Sequence, residues 1–334
     1  MIRISLILLI LSLSLGAKSQ NQFSFSKDTI LMGSSFTFTA LAQKPAQAEK
    51  AVNEGIKEVI RIEKLISSWD PNSQTSAINS FAGLAPVIVD DELFNLIERS
   101  IKISKISKGY FDISFASMDK VWEFKNQELK TLPTEKEIEN SVAKIDFNKI
   151  ILNKKDKTVY LKEQGMKIGF GAIGKGYAAD CAKRKMVKYE AKSGVVNAGG
   201  DILAWGKQEA GKPWSIAIAK PDDKKSVLAW LEISDMAIVT SGNYEKFFLH
   251  NGKRYCHIID PKTGWPISGI KSVTIISKTA ELSDALATTT FILGPDEGMD
   301  FINHLDGVEA IIVNDKDQIS YSTNLASKYF QKRL

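Results

Sequence analysis

The chain has 334 residues, 44% of them hydrophobic and 25% charged, a balance that excludes a disordered or fibrous protein. Its 44 basic and 39 acidic residues leave a formal charge of +5. The basic residues are scattered among acids with no aromatic-interleaved stripe, which argues against nucleic-acid binding.

The first segment reads as a secretory signal peptide over residues 1–19. Arg3 supplies the positive start, Ile4 to Leu15 is apolar except for Ser5, Ser12 and Ser14, and Ala17 and Ser19 supply a small-residue exit for cleavage near Ser19. About twelve apolar residues are too few for a hydrocarbon core that needs roughly 20. No cysteine follows to take a lipid, and no later stretch is long and apolar enough to span a bilayer. An exported, soluble mature chain is therefore expected. Its two cysteines, Cys181 and Cys256, lack metal spacing and read as buried free thiols.

From Ala46 to Ile66, apolar residues at 48, 52, 56, 59, 60 and 65 recur at helical spacing. Ser67-Ser68-Trp69-Asp70-Pro71-Asn72-Ser73 is a loop by composition. Asp90-Asp91-Glu92 opens a second helix running to about Ser107, its acids at the positive end. Tyr110 to Phe115 looks like a strand, Lys125 to Asn140 like a polar surface insertion, and Lys149 to Leu161 like a hairpin. A glycine-rich turn over residues 168–176 feeds a helix to about Tyr189. Gly194 to Ser277 reads mostly as β, including Trp214 to Ala219 and Ser272 to Ser277. Helices over Ser283–Phe291 and Pro295–His304 precede a closing hairpin around Asn314 to Asp317. Helices and hairpins interleave without a βαβ rhythm, so an α+β fold with mixed, largely antiparallel sheets is expected.

Four segments carry groups suited to chemistry. Glycines at 169, 171, 174 and 176 let main-chain N–H groups approach a phosphate ahead of a helix N-terminus. The turn lacks the Ser/Thr of a Walker loop and the spacing of a dinucleotide fingerprint. Asn197-Ala198-Gly199-Gly200-Asp201 is a second close turn, with Asp201 able to meet a ligand hydroxyl or to cap the turn. Of three histidines, His257 alone lies in an apolar strand-like run, three residues before Asp260, where imidazole suits proton transfer near neutrality. With Ser283 as cap, Asp284 and Thr288 share one helix face, and a carboxylate with a hydroxyl suits Mg²⁺. On the residues alone, each segment also has a structural reading as a turn, a packed histidine or a capped helix.

Taken together the segments resemble the ApbE family, FAD:protein FMN transferases of the bacterial periplasm, from about Leu31 to Gly294. The matching pieces include Met32-Gly33-Ser34, Ser67-Ser68-Trp69-Asp70-Pro71, Gly109-Tyr110-Phe111-Asp112 and Gly174-Lys175-Gly176-Tyr177-Ala178-Ala179-Asp180. They continue through Asn197 to Asp201, Thr240-Ser241-Gly242-Asn243-Tyr244, His257 to Gly264 and Ser283 to Thr288. The resemblance implies one flavin transferase domain over residues 20–334, with Asp284, Thr288 and the Ala172 carbonyl as Mg²⁺ ligands. It implies that Met32 and Trp69 enclose the flavin nucleotide, that Lys175, Asp201, Thr240, Ser241 and Asp260 line its site, and that His257 is catalytic. FAD would be cut, its FMN half passing to a Thr hydroxyl of an acceptor flavoprotein of the exported quinone-reductase or electron-transport type, with release of AMP. Two other readings stand beside this one: a Mg²⁺-dependent FAD pyrophosphatase, and an exported FAD-binding protein without turnover. The family usually has Asp where Gly169 stands and Ala where Gly174 stands.

Overall fold

The computed structural model describes residues 22–325 apart from residues 126, 127, 130, 210 and 224; the expected signal segment over residues 1–19 lies outside the described residues. No helix among those described is long and apolar enough to cross a membrane.

The described chain begins with a hairpin of β1 (Phe23–Leu31) and β2 (Ser34–Ala42), closed by Met32 and Gly33 at φ 50° and 69°. A two-residue turn with both φ values positive matches the twist of the strands it joins. Pro45 then starts α1 (Pro45–Ile66), where a missing N–H costs nothing. The helix buries Ala48, Val52, Val59 and Ile62, while Ile60, expected on the inner stripe, is 39% exposed. The inner stripe instead takes Ala51 and Gly55, because α1 packs closely on a later helix there.

After α2 (Gln74–Ser80), β3 (Val87–Ile88) and α3 (Asp91–Ile106), the strand expected at Tyr110–Phe115 is replaced by a 3₁₀ turn over Ile113–Ser117. Asp112 is the cause. Its carboxylate accepts from Ser114 N–H at 2.7 Å, Ser114 Oγ at 2.6 Å and the distant Phe147 N–H at 2.8 Å, and side-chain bonds of this kind to the main chain compete with a sheet ladder. The polar stretch expected as a surface insertion contains α4 (Glu135–Val142), started by a Thr134–Glu137 capping box. Its Ile138 is buried among Trp122, Phe248 and Ile259, so the segment packs a small core of its own.

The rest runs β4 (Ile150–Asn153), β5 (Thr158–Leu161), α5 (Gly174–Lys188), β6 (Ser193–Ala198), β7 (Asp201–Trp205), β8 (Trp214–Ala219), β9 (Val227–Ile233) and β10 (Met236–Gly242). It ends with β11 (Phe247–His250), β12 (Lys253–Cys256), β13 (Ile270–Ser277), α6 (Ala280–Leu293), α7 (Pro295–Asn303), β14 (Glu309–Asn314) and β15 (Ile319–Tyr321). Among the described residues, eight strands form one sheet in the order β1-β2-β6-β7-β10-β13-β14-β15, every pairing antiparallel. This is the expected α+β class. Strand alternation sorts the core: Ala237, Val239, Val273 and Ile275 face the helices. Ile238, Ile276 and Ile311 face Ile216, Ile218 and Leu231 of the β8–β9 hairpin.

Helices α1, α5 and α6 lie side by side on the sheet. A Cβ at Gly55 would come within 2.8 Å of Met186 Cγ on α5, and a Cβ at Gly176 would collide with the Ala280 carbonyl of α6. α6 is capped by Thr279, one turn before the expected Ser283, whose hydroxyl is buried against Ser277 Oγ at 2.8 Å. Both cysteines are free and buried, and burial pushes each thiol up to about 11. Gly176→Ala is expected to destabilise the protein by roughly 1–3 kcal/mol, because the collision is with backbone. Urea denaturation reads this, and an unchanged midpoint would show that α5 and α6 have room to part.

Candidate functional site

The α5–α6 contact buries two carboxylates, Asp180 and Asp284. Gly176 N–H, which a continuing helix would aim at the Ala172 carbonyl, donates to Asp284 Oδ2 at 3.0 Å. In return Asp180 of α5 accepts the free N–H groups of Ala280 and Glu281 at the start of α6, at 3.1 and 2.9 Å. Each helix thus satisfies unpaired N-terminal amides of the other with a carboxylate. Lys175, next along α5, forms an ion pair with Asp201 at the start of β7. Asp201 is 2% exposed and Asp284 4%. Burial raises both carboxyls above the usual range, with Lys175 pulling each back down. Burial works against the Lys175 charge too, but the two carboxylates outweigh it and hold the lysine above its ordinary value.

Beside this cluster lies a cleft of about 390 Å³. Its walls come from Ser68 and Trp69 after α1, Tyr110 to Ile113 with Phe115 and Ala116, Gly169 to Ala172, and His257 to Ile259 with Pro261; Thr288 and Ile292 of α6 complete it. Trp69 is 81% exposed, with Lys120 Nζ 5.1 Å from its ring centre. At Gly171 the α-carbon faces open space, so main chain can meet a ligand closely there. Gly169 donates its N–H to the Ile113 carbonyl at 2.9 Å, and a Cβ on it would stand 3.0 Å from Ala116 Cβ. A carboxylate at 169 therefore needs Ala116 to give way.

His257 follows β12 directly. Its Nδ1 lies 3.2 Å from the Lys246 carbonyl; a carbonyl only accepts, so Nδ1 carries the proton and Nε2 keeps its lone pair. Burial lowers the imidazole below its usual value, against the pull of the Lys246 carbonyl bond and the Glu245 carboxylate. The result is a neutral, oriented base.

Four expected residues, Trp69, Ala172, His257 and Thr288, line the cleft, and Asp284 lies one helical turn from Thr288. Met32 sits at the neighbouring hairpin turn, its Cε 3.6 Å from where a Cβ on Gly174 would stand. Thr240 and Ser241 part company. Strand alternation puts Ser241 on the helix face, while Thr240 Oγ1 turns to Thr274 Oγ1 at 2.9 Å on the opposite face. Asp260 accepts Lys262 N–H at 2.8 Å and shapes its own turn. Glu245 acts by its charge on Lys175, Asp201 and His257, yet one acid among many carries no periodic signal in the sequence. Asp180 carries no local signal for its role either, its partners being about a hundred residues away.

The donors around α6 are all hard oxygens: the Asp284 carboxylate, the Thr288 hydroxyl and the Ala172 carbonyl released from the helix ladder. That set fits a cation such as Mg²⁺ and offers no sulfur or imidazole to a softer metal.

The sequence matches the model of the ApbE family over residues 32–312. A FAD:protein FMN transferase of Treponema pallidum is 28% identical over 321 residues, covering 91% of this chain and 88% of that protein. One from Klebsiella pneumoniae is 29% identical, covering 90% and 92%. Among solved structures, the ApbE protein of Thermotoga maritima superposes with a TM-score of 0.83 at 28% identity, covering 91% of this chain and 99% of that one. The family match over most of the chain, on an eight-stranded antiparallel sheet backed by clamped helices, defines the class. The chain belongs to the ApbE family.

Asp180→Ala is expected to cost roughly 1–2 kcal/mol of stability, the size of a lost cap. The loss should exceed that of Thr279→Ala, which removes a single 3.4 Å bond within α6. Equal losses in urea denaturation would reduce Asp180 to an ordinary cap with no role in joining the helices.

Proposed function

We propose that the chain is an exported, Mg²⁺-dependent FAD:protein FMN transferase, matured by cleavage near Ser19 and acting in the periplasm on an exported flavoprotein. The observation that carries this reading is His257, neutral and pinned by the Lys246 carbonyl, in the same cleft as Thr288 of the oxygen-donor set. The names of the Treponema and Klebsiella relatives support it.

In this reading FAD lies with its pyrophosphate beside Asp284 and Thr288 and its ring system near Trp69 and Met32. A Thr hydroxyl of the acceptor attacks the FMN phosphorus, the bond to the AMP oxygen breaks, and the hydroxyl proton passes to His257 Nε2. The products are a phosphoester-linked flavoprotein and AMP. Bound Mg²⁺ supplies charge neutralisation at the pyrophosphate, held by Asp284, Thr288 and the Ala172 carbonyl. The Gly171 main chain can approach the equatorial phosphate oxygens. Lys175, neutralised between Asp201 and Asp284, keeps those carboxylates in place, with Asp201 and Ser241 at the nucleotide's edge.

The test is incubation of the exported chain with FAD, Mg²⁺ and the exported domain of a quinone-reductase subunit carrying the Thr motif, followed by intact mass. The same spectrum reads the enzyme's own cleavage near Ser19. An acceptor heavier by one FMN, only with Mg²⁺, is expected; FMN and AMP released into solution with acceptor unmodified would make the chain a pyrophosphatase, and FAD bound intact a binding protein. His257→Ala is expected to slow transfer by about 10²–10⁴-fold with FAD still bound, and Asp284→Ala to abolish Mg²⁺-dependent turnover. Lost FAD binding in the first variant, or full activity in the second, would refute the roles given.

The pH profile follows from the direction of the His257 shift. Glu245, Lys246 and Lys175 are the charged groups acting on it, and burial is the dominant cause. A depressed value leaves the base unprotonated at neutrality, so kcat/KM should be flat there and fall only as pH drops below about 6.5, the ordinary histidine value. Acidification should also cost stability, since the unfolded chain takes up that proton more readily than the folded one. A limb centred above 6.5 would mean that another group sets the profile.

A further inference from the structure

A second, more open hollow of about 570 Å³ adjoins the cleft. The two share Tyr110, and two chain segments pass from one into the other: Pro261 lines the cleft and Lys262 the hollow, Ile292 the cleft and Leu293 the hollow. Lys262 Nζ rests 3.6 Å from the centre of the Tyr110 ring, a cation–π contact that fixes the partition between them.

We propose that this hollow seats the acceptor polypeptide, as an extended segment that carries its threonine over Tyr110 to His257. The assignment rests on the transferase reading above. Its charge separates it from a nucleotide track. Along α7 the exposed side chains of Asp296, Glu297 and Asp300 form one wall, and three carboxylates repel a pyrophosphate. Lys108 and Lys262 stand on the other side. Walls of opposite sign suit a peptide backbone with its N–H and C=O groups and mixed side chains. Between them lie Phe301, Leu293 and Ile106, the last 51% exposed, an apolar strip for a side chain of the bound segment. The geometry of transfer agrees. FAD approaches through the cleft, so the incoming hydroxyl must reach His257 from another side, and the hollow borders that cleft along Tyr110.

The test is a calorimetric titration of the same quinone-reductase domain into wild type, Ile106→Arg and Asp300→Lys, without divalent cation so that no FMN is transferred. Both substitutions sit at exposed positions outside the catalytic cleft. Each variant is expected to bind the domain about ten-fold more weakly, that of Asp300→Lys shrinking at high salt, with FAD affinity and Tm unchanged. No binding by wild type, or undiminished binding by both variants, would overturn the assignment. A parallel loss of FAD affinity would make the hollow part of the nucleotide site and overturn it as well. A domain that binds in the hollow yet never gains FMN when Mg²⁺ is added would count against the transferase reading alone.

Discussion

The closeness of α5 and α6 is the constraint on which the rest of the site depends. It exists because position 176 has no side chain: the Ala280 carbonyl occupies the space a Cβ would need. At that separation each helix start is within reach of a carboxylate on the other, and the bonds from Gly176 to Asp284 and from Ala280 and Glu281 to Asp180 become possible together. A helix N-terminus buried without partners would be costly. Here the amides are satisfied by groups that also set the register between the helices, so Asp284 and Thr288 face the glycine-rich turn.

The same packing explains how charges are tolerated in a dry place. Asp201 and Asp284 are both nearly inaccessible, and two carboxylates so buried would normally take up protons. Lys175 is ion-paired with Asp201 and attracted by Asp284, and that attraction exceeds the penalty of its own burial. The lysine therefore stays charged and offsets part of the buried acidity, while burial still holds both carboxyls above their usual range. His257 lies outside this arrangement, on a hairpin end, and is held by a main-chain carbonyl instead of a carboxylate, so its basicity is set mainly by burial.

Much of this was legible in the sequence, and the limits are physical. The Asp284–Thr288 spacing is local, so one helical turn suffices to place both on a face, and moving the cap from Ser283 to Thr279 left that face unchanged. The hairpins at residues 149–161 and around 314–317 were equally local. The strand expected at Tyr110–Phe115 failed because Asp112 captures Phe147, a partner 35 residues away. Ile60 failed because helical period alone cannot tell that the stripe with Ala51 and Gly55 is the one pressed against Met186 of α5. Thr240 illustrates a different limit: a motif groups it with Ser241, but a strand sends adjacent side chains to opposite faces. Asp180 and Glu245 act across long separations, where composition and spacing carry no information.

The division of labour that emerges has a mechanical logic. Asp284 and Thr288 sit on a helix packed against an eight-stranded sheet and the Ala172 carbonyl on the turn before α5, while Trp69, the Tyr110 turn and His257 come from loops and a hairpin end around them. Met32 belongs to the second group with a cost attached. A non-glycine residue at φ 50° carries roughly 1–3 kcal/mol of strain, and Gly33 beside it shows that the turn type, not the side chain, demands that conformation. Retaining a long apolar side chain there is explained by where it points, onto Gly174 at the head of α5. A Cβ at 174 would meet Ile66 Cδ1 at 3.0 Å before Met32 Cε at 3.6 Å, so Met32 and Ile66 together cover the head of α5, and the hairpin turn rests against the helix that carries Lys175 and Gly176. The loop wall and the helical donor set are joined at that contact, and a ligand bridging them meets two surfaces already held in register.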